Sequence, residues 1–116
     1  MDNITNSRRA LLRDYKDRAV EAGIYAVRCA PTGQAWVGGT PDLATRQSGV
    51  WLTLRIGGHS CASLQAAWTE HGEAAFGFEV LEVIDDKGLE QMGRAALLVE
   101  RREHWRAALG AEGLRR

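Results

Sequence analysis

The chain is 116 residues long, which is enough for one hydrophobic core and leaves no room for a second. Its 45% apolar and 26% charged residues are ordinary for a soluble globular domain, and no apolar run is long enough to span a membrane. Basic and acidic residues balance at 15 each, so net charge gives no support to nucleic-acid binding.

Met1 to Arg18 is polar and charged, unlike a secretory signal. It reads as part of an opening helix capped by Asn6 or Ser7 and running to about Ala22, with Leu11, Leu12, Tyr15 and Ala19 at helical spacing. Gly23 ends that helix. Ile24 to Cys29 alternates as a strand, with Tyr25, Val27 and Cys29 on one face. Ala30-Pro31-Thr32-Gly33 supplies a turn, and Gln34 to Gly38 is the returning strand, closed by Gly38 and Gly39. Thr40, Pro41 and Asp42 offer a capping hydroxyl, a first-turn proline and an acid at the positive helix end. The second helix runs from there to Leu54 or Arg55, loosened around Gly49. After Ile56-Gly57-Gly58, Ser60 caps a third helix through Trp68 or Glu70, with Cys61, Leu64 and Trp68 on one side and Gly72 at its end. Phe76 to Ile84 is the clearest strand, with Phe76, Phe78 and Val80 on one face and Leu81 and Val83 on the other. A long helix follows from about Lys87 to Leu109.

This order predicts a small α+β domain: a three-stranded, largely antiparallel sheet flanked by helices, with an additional N-terminal helix. The expected organisation is a single domain over 1–116, with the N-terminal helix at 1–22, the core at 23–109 and a frayed tail at 110–116. Cys29 and Cys61 have no metal or redox spacing and read as reduced, mostly buried thiols of a cytoplasmic protein. The basic residues are 13 Arg and only 2 Lys. Arginine's planar fork suits bidentate phosphate contacts, although a coding preference for arginine explains the ratio equally well. The basic clusters at the two ends are interleaved with acids and read as solvated helix faces.

Four side chains stand out chemically. Tyr25 is either a half-buried strand tyrosine or a phenol at a site. Arg46 is either a solvated helix arginine or a phosphate contact. Glu100 shares a helical sector with Leu89, Ala96 and Ala107, where a carboxylate needs a divalent metal or an arginine to offset its burial. His59 follows Gly57-Gly58 at a helix start and is either an ordinary entry residue or a base or phosphate ligand. Phosphodiester hydrolysis needs a metal ligand, a cation for the developing charge and a proton acceptor. Glu100, Arg46 and either Tyr25 or His59 fill those roles.

Gly23-Ile24-Tyr25 and, eleven residues on from Tyr25, Trp36-Val37-Gly38 resemble the paired tripeptides of the GIY-YIG nuclease family. Gly38-Gly39-Thr40-Pro41-Asp42-Leu43 with Arg46 is similar to that family's "G-x-T-x-D-L-x-x-R" continuation. Leu64 to Trp68, His71 to Glu73 and Phe76 to Glu82 resemble its "LQxAW…GExxFxFEVLE" stretch, and Leu97 to Glu100 its glutamate-bearing helix segment. The resemblance covers Gly23 to about Leu109. It implies a stand-alone endonuclease that hydrolyses phosphodiester bonds in DNA with one magnesium or manganese ion. Its catalytic residues are then Tyr25, Arg46, His59 and Glu100, with Glu100 as metal ligand and Glu103 one turn away as the alternative. Trp36, Gly38 and Arg55 are the expected nucleic-acid contacts, and the protein acts as a monomer or homodimer. Trp36 departs from the family's second tyrosine, because indole donates but cannot accept a proton. The alternative is therefore an impaired domain that serves as a nucleic-acid-binding or protein-interaction module.

Overall fold

A computed structural model describes residues 21–85 and 89–114. The predicted N-terminal helix lies almost wholly outside these residues. Strands β1 (Ala22–Cys29) and β2 (Gln34–Thr40) form an antiparallel hairpin in which Tyr25 faces Gly38 and Val27 faces Trp36. Gly33 takes φ +74° in the turn, and its N–H closes back on the Cys29 carbonyl at 2.9 Å. Helices α1 (Leu43–Arg55) and α2 (Ala62–His71) follow, then a single 3₁₀ turn, strand β3 (Phe76–Ile84) and helix α3 (Gln91–Leu109). A two-residue strand, β4 (Glu112–Gly113), completes a mixed four-stranded sheet in the order β3-β1-β2-β4.

The sheet alternation sorts the core into two layers. Tyr25, Val27, Cys29 and Trp36 pack against Val50, Trp51 and Leu54 of α1 and Leu64 and Trp68 of α2. Rings interlock across that layer: Tyr25 stacks on Phe78 at 5.0 Å, and Trp51 meets Trp68 edge-on at 5.4 Å. On the other face, Ala22, Ile24, Ala26 and Val37 receive Leu97, Leu98, Trp105 and Leu109 of α3. As the central strand, β1 is covered on both faces, which explains its nearly continuous apolar run.

Several boundaries differ from the sequence reading. Ala22 belongs to β1 rather than to a preceding helix, because it pairs with Ile84 across the sheet. Asp42, not Thr40, caps α1: its carboxylate accepts from the Ala44 N–H at 3.1 Å and the Thr45 hydroxyl at 3.0 Å. The Thr40 hydroxyl is spent locally on the Asp42 backbone. Helix α1 passes through Gly49 unbroken, since Val50, Trp51 and Leu54 anchor its buried face. Helix α2 starts at Ala62 instead of being capped by Ser60. His59 fixes that entry by accepting the Cys61 N–H on Nδ1 while donating its own N–H to Gln65. Helix α3 starts at Gln91, four residues later than expected.

Of the tail expected to fray over 110–116, residues 110–114 pack against the core. Gly110 turns the chain at φ +62°, and Ala111 and Leu114 then plug opposite core layers, Leu114 with 1% exposure. The Leu114 N–H reaches the Val37 carbonyl at 2.7 Å, and β4 runs parallel to β2. Two apolar residues of the tail fit the two core layers, and that outweighs the tail's own weak propensity.

Candidate functional site

The hairpin brings Tyr25 and the Gly38 backbone together. A Cβ at Gly38 would lie 2.5 Å from the Tyr25 hydroxyl oxygen, so the ring rests directly on that glycine. Gly39 faces the other layer at a looser distance, with Leu98 of α3 at 3.4 Å from the equivalent position. Beyond these glycines the chain turns into α1, and the cap at Asp42 orients its first two turns. Arg46 is thereby brought close enough to Tyr25 for its charge to act on the phenol.

Burial pushes the Tyr25 phenol above its ordinary value, and the pull of Arg46 in the other direction does not overcome this. The neutral phenol is therefore the favoured form of Tyr25. It is fully buried, behind the surface that a ligand would touch.

Arg46 opens into a cleft of about 500 Å³ between the start of α1 and helix α3. Gly39, Pro41 and Arg46 form one wall. Gln91, Ala95, Leu98, Val99 and Arg102 form the other. These positions recur every three or four residues and define one stripe of α3. Arg102 is the charged member of that stripe, and its side chain is 20% exposed. Sequence reasoning missed its role by treating it as one of a solvated basic run. The available signal was a charge one turn beyond Leu98 on the stripe that carries Ala95, Leu98 and Val99.

Glu100 does not belong to this cleft. The sector it shares with Ala96 and Ala107 is the exposed outer side of α3, about 160° around the helix from Leu98 and Arg102. Glu103 lies closer but is paired with Arg106 at 2.8 Å. Among the described residues, no carboxylate lines the cleft. Among the described residues, no cluster of three Asp, Glu, His or Cys side chains is placed to hold a metal ion. With Glu100 turned away and two arginines lining the cavity, the residues present do not fit a magnesium or manganese ion held by Glu100.

The other expected site residues serve the frame. Trp36 is buried, and its indole N–H donates to the Ser63 hydroxyl at 2.9 Å, which donates to Glu112 at 2.8 Å. This chain ties β2, α2 and β4 together and keeps Trp36 from meeting nucleic acid. Gly38 is covered by the tyrosine ring. Arg55 grips Glu73 through two hydrogen bonds of 2.9 and 2.8 Å, joining the end of α1 to the 3₁₀ turn. His59 lies beside Cys61, outside the residues lining the cleft. Burial lowers its pKa, and the Nδ1 lone pair is taken by the Cys61 N–H, so the ring is neutral with its proton on Nε2. That lone pair is not available for general-base chemistry.

Hairpin, flanking helices and a glycine-walled arginine cleft together define a GIY-YIG-like domain. Two solved structures share this architecture. One is a glutamate-to-alanine mutant of the catalytic domain of intron endonuclease I-TevI, 26% identical, with a TM-score of 0.66 over 78% of this chain and 86% of that one. The other is the catalytic domain of homing endonuclease I-TevI, 24% identical, with a TM-score of 0.67 over 82% of this chain and 99% of that one. No family model matches the sequence, and no curated protein matches it. No helix among the described residues is long and apolar enough to cross a membrane.

Proposed function

We propose that this chain is a nuclease-like domain that acts on DNA, with the phosphodiester backbone held in the cleft between α1 and α3. The observation that carries this reading is Arg46, fixed beside Tyr25 and the Gly38-Gly39 backbone in a fold shared with two endonuclease catalytic-domain structures. A guanidinium in that position matches a phosphate with parallel N–H donors and stabilises added negative charge on it. Tyr25 acts from behind as a positioning phenol.

A second reading is binding without strand cleavage. It is favoured by the lack of a carboxylate among the described residues of the cleft, the neutral phenol and the committed His59 lone pair. One experiment separates the two. Purified protein is incubated with single-stranded, duplex and branched DNA in EDTA, magnesium or manganese, alongside Arg46→Ala. Cutting that disappears in Arg46→Ala supports the nuclease. Salt-sensitive binding that depends on Arg46 without cutting supports the binding domain. If neither depends on Arg46, the proposal fails.

A further inference from the structure

Arg102 has donor capacity that its protein contacts do not use. One guanidinium nitrogen, Nη1, donates to the Leu114 carbonyl at 3.0 Å. Its Nε is buried and makes no hydrogen bond among the described residues. Glu103 accepts the short Arg106 hydrogen bond on Oε1 and holds Oε2 3.4 Å from the Arg102 Nε as an ion pair, too long and poorly aligned for a hydrogen bond. A guanidinium carries five N–H donors and cannot shed its charge, so a partly buried one with a single hydrogen bond and a loose ion pair keeps donors for a further anion. Arg46 presents a second guanidinium from the facing wall of the same cleft.

The β2 edge adds a backbone donor. Because the Val37 carbonyl accepts from Leu114, the polar groups of Val37 face β4. Strand alternation turns those of Gly39 the same way, beyond the end of β4. Gly39 lines the cleft. Arg46, Arg102 and the Gly39 backbone thus line one cleft from α1, α3 and β2.

We propose that these three groups form an anion site that takes one phosphate of a nucleic-acid backbone without a divalent metal. The nucleic-acid identity of the ligand rests on the nuclease-like reading above; the anion site itself rests on the cleft. Arg102 supplies, from the wall facing Arg46, the positive charge that a bound metal ion would otherwise bring to the phosphate.

The test measures binding of a short labelled oligonucleotide in EDTA and in magnesium, together with the thermal shift produced by inorganic phosphate. Arg46→Ala, Arg102→Gln and Arg102→Glu are compared with wild type. Arg102→Gln keeps a donor for the Leu114 carbonyl, and a melting curve for each variant verifies folding. The expected result is equal wild-type affinity in EDTA and magnesium. Affinity falls about tenfold or more in Arg46→Ala and Arg102→Gln, as for loss of a charge-assisted contact. Each loss lowers the salt slope by about 1. Arg102→Glu abolishes binding in EDTA. A wild type that binds only with magnesium overturns the proposal. So does unchanged affinity in a folded Arg102→Gln variant, which leaves the DNA reading standing on Arg46 alone. A phosphate-induced thermal shift that needs Arg102, without oligonucleotide binding, keeps the anion site and ends the DNA reading.

Discussion

Gly38→Ala is the sharpest probe of how the site is built. The added methyl carbon would start 2.5 Å from the Tyr25 hydroxyl oxygen and 2.6 Å from Cζ, about 1 Å inside ordinary contact. The ring has little freedom to retreat, being fully buried and stacked on Phe78 at 13° between planes. Overpacking of this kind costs about 1–3 kcal/mol, and reduced freedom of the unfolded chain returns about 0.4–1 kcal/mol, because Gly38 does not need positive φ. The net loss is about 1–2 kcal/mol, a fall in Tm of roughly 3–10 °C for a domain this size. Thermal and urea denaturation measure it. Gly39→Ala is the internal control: its nearest neighbours lie at 3.4 Å, so it costs less. In a Tyr25→Leu background, where the ring is absent, the Gly38→Ala penalty shrinks, a coupling that a double-mutant cycle reads directly. An unchanged Tm in Gly38→Ala, or equal penalties with and without the ring, would refute the close approach of Tyr25 to β2.

Three further outcomes follow from the same geometry. The folded-state pKa of Tyr25 is raised, so its contribution is intact below the unfolded value of about 10 and is lost as pH rises through the folded one; Tyr25→Phe flattens that alkaline decline in urea melts. The folded-state pKa of His59 is lowered, so its contribution is present above about 6.5 and is lost as pH falls through the folded value. His59→Asn, whose side-chain oxygen also accepts the Cys61 N–H, keeps stability near pH 7 and reduces the acid-side loss; an unaltered pH profile sinks that assignment. Leu114→Ala removes a buried anchor and costs about 2–5 kcal/mol, where a frayed tail predicts none.

The elements were largely legible because the local signals agree. Alternation marks β1 and β3, Gly33 and Gly72 adopt the positive φ their positions demand, and the Pro41-Asp42 start places α1. The tail was misread because its strand pairing comes from contacts with Val37 and both core layers, and nothing within seven residues reveals that. Trp36 illustrates the same limit. Its spacing from Tyr25 sets the hairpin, but whether its indole faces a ligand or Ser63 depends on a helix that begins 26 residues later.

By itself the sequence determined the hairpin and the order of helices, since these depend on short-range periodicity and on residues with restricted or permissive backbones; the register that sets Tyr25 opposite Gly38, and Val27 rather than Tyr25 opposite Trp36, came from the sheet. Only the tertiary structure decided which stripe of α3 faces the cleft. A helix repeats every 3.6 residues, and Glu100, Arg102 and Glu103 are all polar, so composition could not choose among them. Packing of Leu97, Leu98 and Trp105 on the sheet fixed the rotation, which turned Glu100 to solvent and Arg102 to the cleft beside Arg46.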